Sequence, residues 1–213
     1  MSRYSAGFLK NVFINCPFDD EYVHLFKAIV YTITDIGFRP RCARETSNGG
    51  QIRLEKIMKI ISECKYSIHD ISRTEPDLTS GLPRFNMPFE LGLDLGCKQF
   101  GTPRQQEKVS LILDTESYRY QKFISDIAGQ DIFGHNNNEE NLILIVRNWL
   151  SPELDTRFNG PGGEIIFQRY QNFQAALPNI CNRLNWNPTN LPFNDFSYAV
   201  AFWISSNPIE RIQ

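Results

Sequence analysis

The sequence predicts an α/β domain built on a parallel sheet. Short apolar runs bounded by turn residues alternate with amphipathic segments of helical period, the pattern of strands joined by crossover helices. Polar residues able to do chemistry recur just after those runs, at the strand ends where open parallel sheets bind ligands. The chain is 213 residues long, enough for one such domain with a C-terminal extension.

The first strand is Asn11-Val12-Phe13-Ile14-Asn15, closed by the turn Cys16-Pro17-Phe18-Asp19-Asp20. A helix follows from Glu21 to Ile36, with Leu25, Ala28, Ile29 and Ile33 on one stripe and Gly37 placed to end it. Phe38 to Ala43 reads as the second strand, and Pro40 assigns it to a sheet edge. After a polar loop from Arg44 to Gly50 comes a helix from Gln51 to Glu63, with Leu54, Ile57, Met58 and Ile61 on its inner face. Tyr66 to Ser72 is the third strand, and its tip is His69-Asp70-Ile71-Ser72. Strand alternation sends His69 to the face opposite Asp70. Arg73 to Arg84 is a loop.

The next helix begins near Phe85 and runs to Lys98. Asn86 or Met87 is predicted as its cap, with Pro88 in the first turn. Glu90 is predicted in that same turn, near the positive end of the helix dipole. Phe89, Leu91 and Leu95 are predicted to face the sheet, and Gly92 and Gly96 to form a flat side for close approach. Acids are favoured in first turns anyway, so the local sequence leaves open whether Glu90 does more than close a cap. Lys108 to Asp114 is a buried-type fourth strand. Tyr118 to Ile127 reads as a short helix, Gln130 to His135 as a fifth strand, and Asn136 to Asn138 as the cap of a helix from Glu139 to Leu150. Its inward residues are Leu142, Ile145, Val146 and Trp149.

Residues 151–213 differ in character. A glycine-rich turn spans Asn159 to Gly163, a helix spans Glu164 to Leu184 with Pro178 predicted to bend or break it, and a last helix spans Asp195 to Ser205. Trp186, Phe193, Phe196, Tyr198, Phe202 and Trp203 make this segment aromatic-rich. The predicted division is an α/β domain over 1–150 and a helical extension over 151–213, packed on that domain or forming an oligomer interface.

Bulk properties narrow the function. Hydrophobic content of 41% and charged content of 22% are ordinary for a soluble globular protein. No run reaches the roughly 18 apolar residues of a membrane span. The net charge of −2, with no block of like charge, argues against nucleic acid or an anionic membrane as partner. Five cysteines without C-x-x-C spacing predict reduced thiols and a cytoplasmic protein. Cys16, in the first loop, reads as a small buried residue. His24, His69 and His135 are far apart, so no metal site is predicted. There is no G-x-G-x-x-G after the first strand, no G-x-x-x-x-G-K-[ST] and no G-x-S-x-G.

Three segments together resemble the TIR-like and nucleoside 2-deoxyribosyltransferase-like superfamily. They are Val12-Phe13-Ile14-Asn15-Cys16-Pro17-Phe18, His69-Asp70-Ile71-Ser72 and Asn86-Met87-Pro88-Phe89-Glu90-Leu91-Gly92. The resemblance covers residues 10–150; Pro88 and the long loop from Arg73 to Arg84 depart from its commonest pattern. It implies a three-layer, flavodoxin-like parallel sheet. It also implies cleavage of an N-glycosidic bond in NAD or a related nucleotide or nucleoside, in a bacterial anti-phage effector or signal-producing enzyme. Glu90 falls on the family's catalytic glutamate and Asp70 on the acid after the third strand, so both are expected to be catalytic. Breaking the bond leaves positive charge on the ribose, which a carboxylate stabilises or attacks. The expected substrate-binding residues are Asn86, Phe13, Asn15, Pro17, Phe18, Arg44 and Ser72. Asn86 would meet a ribose hydroxyl, Phe13 or Phe18 would stack on the base, and Arg44 would meet a phosphate. No cofactor is expected, NAD entering only as substrate. The expected partners are a small nucleotide or nucleoside, further copies of the chain, and a protein bound through the aromatic C-terminal region. A nucleotide-signal sensor without catalysis, and a TIR-like self-association scaffold, stand as alternatives.

Overall fold

The computed structural model describes residues 7–76, 81–153 and 160–209. Part of the loop after the third strand (77–80) and Asn159 of the glycine-rich turn lie outside the described residues. The elements are β1 (Asn11–Asn15), α1 (Val23–Asp35), β2 (Arg39–Cys42), α2 (Arg53–Ser62), β3 (Tyr66–Asp70), α3 (Asn86–Phe100) and α4 (Pro103–Gln106). Then come β4 (Val109–Asp114), β5 (Ile132–Gly134), α5 (Glu139–Leu150), α6 (Gly163–Leu184) and α7 (Phe193–Ser206). The five strands form one all-parallel sheet in the order β2-β1-β3-β4-β5. This is the flavodoxin-like order, in which the chain reverses direction across the sheet between β1 and β3.

Strand alternation divides the side chains between two helical layers. Val12, Ile14, Tyr66, Ile68, Leu111 and Leu113 share the main core with α1, α5, α6 and α7. On the other face Phe13 packs with Ile57, Ile60 and Ile61 of α2, and Ile71 and Ile112 pack with Leu91 of α3. Pro40 does hold β2 at an edge, and Gly37 ends α1 at φ +84. The C-terminal helices lie on α1. The Tyr31 ring is 5.4 Å from Phe173 and 6.0 Å from Trp203, and Arg169 clamps Asp35 at 2.8 Å. Among the described residues no helix is long and apolar enough to cross a membrane.

Several local expectations are corrected. In α2 the buried stripe is Ile57, Ile60 and Ile61, while Leu54 and Met58 are exposed at 39% and 43%. The shorter helix turns its i, i+3, i+4 set inward and leaves the outer residues in water. Pro178 does not break α6, which is continuous from Gly163 to Leu184. Phe173, Leu177, Ile180 and Cys181, buried on both sides of the proline, hold the helix in place. The segment read as a short helix is two 3-10 turns, Arg119–Lys122 and Ser125–Ile127. α3 starts one residue early. Phe85 is its N-cap with no side-chain cap bond, and the Phe89 amide already bonds the Phe85 carbonyl at 2.9 Å. Asn86 is therefore not the cap, and Glu90 lies past the first turn, where it has no capping role. Phe89 is 55% exposed instead of facing the sheet. A Cβ built on Gly92 or Gly96 would meet nothing within 4 Å, so these glycines face open space and admit no close neighbour.

Candidate active site

The strand-order reversal places the end of β1 beside the end of β3. Asn15 and His69 are register partners there, and Asp70 is the last residue of β3. α3 leans over this end of the sheet with Met87, Glu90, Leu91 and Asp94 buried on its inner side.

Asp70 is fully buried and surrounded by donors. Tyr22, just before α1, donates its hydroxyl to Oδ2 at 2.6 Å, and the Ser72 amide donates to Oδ1 at 2.9 Å. Nε2 of His135, between β5 and α5, lies 3.0 Å from Oδ2. The His135 Nδ1 accepts the Asn137 amide at 3.0 Å, which leaves the ring proton on Nε2, facing Asp70. Burial alone would raise this carboxyl. His135, Ser72 and Tyr22 outweigh burial and hold it below its ordinary range. Asp70 is thus an ionised anchor joining β3 to the entries of α1 and α5, with no surface to offer a substrate.

Glu90 has the opposite surroundings. It is 8% exposed, and it accepts no hydrogen bond from any described residue. Burial pushes its carboxyl from the ordinary 4.5 up to about 7, and Arg53 pulls the other way. Arg53 is the exposed first residue of α2. Cys16 is buried within electrostatic reach of Asp70, Arg44 and Glu90. Burial first, then Asp70, pushes its thiol well above the ordinary range, so it stays protonated and unreactive at neutral pH.

Arginines ring this end of the sheet. Arg73 pairs with Glu21 and Asp19, Arg84 approaches Asp19, and Arg119 pairs with Asp114 and Glu75. Arg44 is held differently. Its guanidinium sits 4.5 Å over the Phe18 ring and donates to the Phe18 carbonyl at 2.8 Å. Among the described residues neither Arg44 nor Arg53 forms an ion pair, so both keep donors free for an anion.

The remaining predicted residues divide. Phe13 is fully buried against His69, ring centroids 5.9 Å apart, and has no open face for a base. One face of Phe18 is taken by Arg44, and its ring meets Phe26 edge-on at 5.3 Å. Asn15 is buried and spends its amide on α3, donating to the Met87 carbonyl at 2.9 Å. Pro17 is buried, and Ser72 is buried with its carbonyl accepting from Arg119. Asn86 is exposed at the start of α3. His69 does lie opposite Asp70, on the α3 face.

Sequence reasoning missed Tyr22, His135 and Arg53. Their signal was positional: each follows a strand or opens a helix at the ligand end of the sheet. Two cavities among the described residues lie elsewhere. One of about 420 Å³ lies between β2 and α7, touching Pro40 and Phe193, and one of about 160 Å³ lies by Tyr198 and Phe202. Among the described residues no group of three His, Cys, Asp or Glu side chains is arranged to hold a metal ion. No family model, curated protein or solved structure matches the chain.

Proposed function

We propose that the chain cleaves the N-glycosidic bond of a nucleotide, NAD or a relative, with Glu90 as the reacting carboxylate. The observation that carries this reading is a buried carboxylate with no donor, at the reversal point of a parallel sheet. When the bond breaks, its electron pair leaves with the base and positive charge develops on the ribose. An anion with no hydrogen bonds of its own, in a poorly solvated site, answers that charge strongly. Glu90 either stabilises the cation until water or another acceptor adds, or attacks it and is displaced later. The titration near 7 keeps both its protonated and its ionised form populated at neutral pH. Arg44 and Arg53, lacking carboxylate partners, favour a substrate with a phosphate over a bare nucleoside. Asp70 orders the site without touching substrate. The likeness of three segments to the TIR-like and deoxyribosyltransferase-like superfamily supports the same chemistry.

The test is product analysis. Wild type and Glu90→Gln are incubated with NAD, ATP and a nucleoside panel, at low and high protein concentration. Wild type is expected to release a free base, and Glu90→Gln to lose about 10²–10⁴-fold of that rate. Undiminished release by Glu90→Gln would remove the carboxylate from the mechanism. Nucleotide binding without release at any concentration would leave a sensor.

A further inference from the structure

A path of polar side chains runs beneath α3. Its lower end is Asp94, one helical turn after Glu90 and on the same face. Ser67 of β3 and Ser110 of β4 donate to Asp94 Oδ2 at 2.7 and 2.8 Å. The Lys108 ammonium lies 3.0 Å from Asp94 Oδ1 and also donates to the carbonyls of Ile61 and Cys64, at 2.9 and 2.6 Å, at the C-terminal end of α2. Nε2 of His69 lies 3.4 Å from Asp94 Oδ2. The other ring nitrogen, Nδ1, is 3.0 Å from the Asn15 amide, which in turn donates to the Met87 carbonyl in the first turn of α3 at 2.9 Å. Every member of the path is buried except Ser110, which is half-buried.

We infer that Asn15 and Asp94 are positioning residues for Glu90. They pin α3 to β1, β3 and β4 at points three residues before and four residues after it, and so hold its carboxylate buried and free of donors. This rests on the reading of Glu90 as the reacting group. Apolar packing resists separation but only weakly resists rotation or sliding, whereas hydrogen bonds to charged groups fix direction as well as distance. A buried ion pair is a poor device for stability alone, because its desolvation offsets most of its attraction. The pair of Asp94 and Lys108 ties α3 both to the sheet and to the C-terminal end of α2, which fits a role in geometry. None of its donors is spent on Glu90. The titratable groups that face Glu90 are Arg53 from α2 and Cys16 from the loop after β1, with Asp94, His69 and Lys108 a turn deeper.

The test follows Glu90 itself, by carbon-detected NMR of the glutamate carboxyls of the full chain, with Glu90→Gln to assign its signal. Asn15→Ala removes both amide contacts without changing charge. Its Glu90 titration is expected to fall by at least about one unit from about 7 toward 4.5, as a loosened α3 lets water reach the carboxylate. Ile14→Val, a core change on the same strand that faces the other helical layer, is expected to lower the melting temperature and leave that titration in place. Should Asn15→Ala not fold, Asn15→Ser, which keeps one donor, is expected to show a smaller fall. An unchanged titration in the folded Asn15 variant overturns the inference, as does an equal fall in Ile14→Val. Wild type that releases no base, with the titration still falling in Asn15→Ala, would overturn the glycosidase reading while the positioning role stands.

Discussion

Asp70 and Glu90 are buried carboxylates at the same end of the same sheet, yet they stand in opposite states. Asp70 is met by a tyrosine hydroxyl, a backbone amide and a histidine ring. Glu90 meets no hydrogen-bond donor among the described residues, and one arginine, Arg53, acts on it from outside hydrogen-bond contact. The more deeply buried carboxyl, Asp70, lies below its ordinary range, while the less buried Glu90 is lifted to about 7. The contrast teaches that burial sets the size of the penalty while the count of donors decides whether the charge survives. A saturated carboxylate holds structure together; an unsatisfied one is available for chemistry.

The largest effect that would break this contrast is expected from removing the saturated member. Asp70→Ala leaves the Tyr22 hydroxyl and the His135 ring without their acceptor, at a cost of about 3–5 kcal/mol in unfolding free energy. Denaturant titration checks this. The Asp70 carboxyl is depressed in the folded state, so its contribution is fully present above 3.8 and is lost as pH falls through the folded value. The gap between wild type and variant should therefore narrow in acid.

Glu90→Gln should act with the opposite sign. The folded carboxyl is raised, so wild type is most stable below 4.5 and loses stability as pH rises from there through about 7. The glutamine variant escapes that loss. It is expected to be more stable than wild type at pH 8, by up to about 3 kcal/mol, with the difference shrinking toward pH 4.5. Thermal melts at both pH values measure it. A glutamine variant less stable than wild type at pH 8 would mean that Glu90 has partners after all. The smallest effect is expected from Arg53→Ala. Losing this opposing charge should move the Glu90 titration further upward, by less than about 0.7 unit for a solvent-screened pair. Carboxyl NMR reads the shift.

Much of the architecture was legible in the residues. Pro40 marked the edge strand, Gly37 the end of α1, and Asn138 the cap of α5, where its side chain accepts the Asn141 amide at 2.8 Å. Elements set by balances among distant contacts were not legible. Leu54 and Met58 have the spacing of a buried face but lie outside the contact that formed. Pro178 is a helix breaker locally and is overruled by burial on either side. The place of Asp70 and Glu90 at one end of the sheet follows from strand order, but Phe13 and Asn15, adjacent to that end in sequence, are consumed by packing and by α3.

By itself the sequence determined the alternation of strand and helix, the edge, the end of α1 and the cap of α5. Periods of two and of 3.6 residues, and the dihedral limits of proline and glycine, are properties of neighbours in the chain. Only the tertiary structure decided which carboxylate would be quenched and which left bare. The Asp70 donors include Tyr22, 48 residues away, and His135 from beyond the fifth strand. Ionisation in a buried site depends on what the fold brings within 3 Å, and no local pattern encodes that.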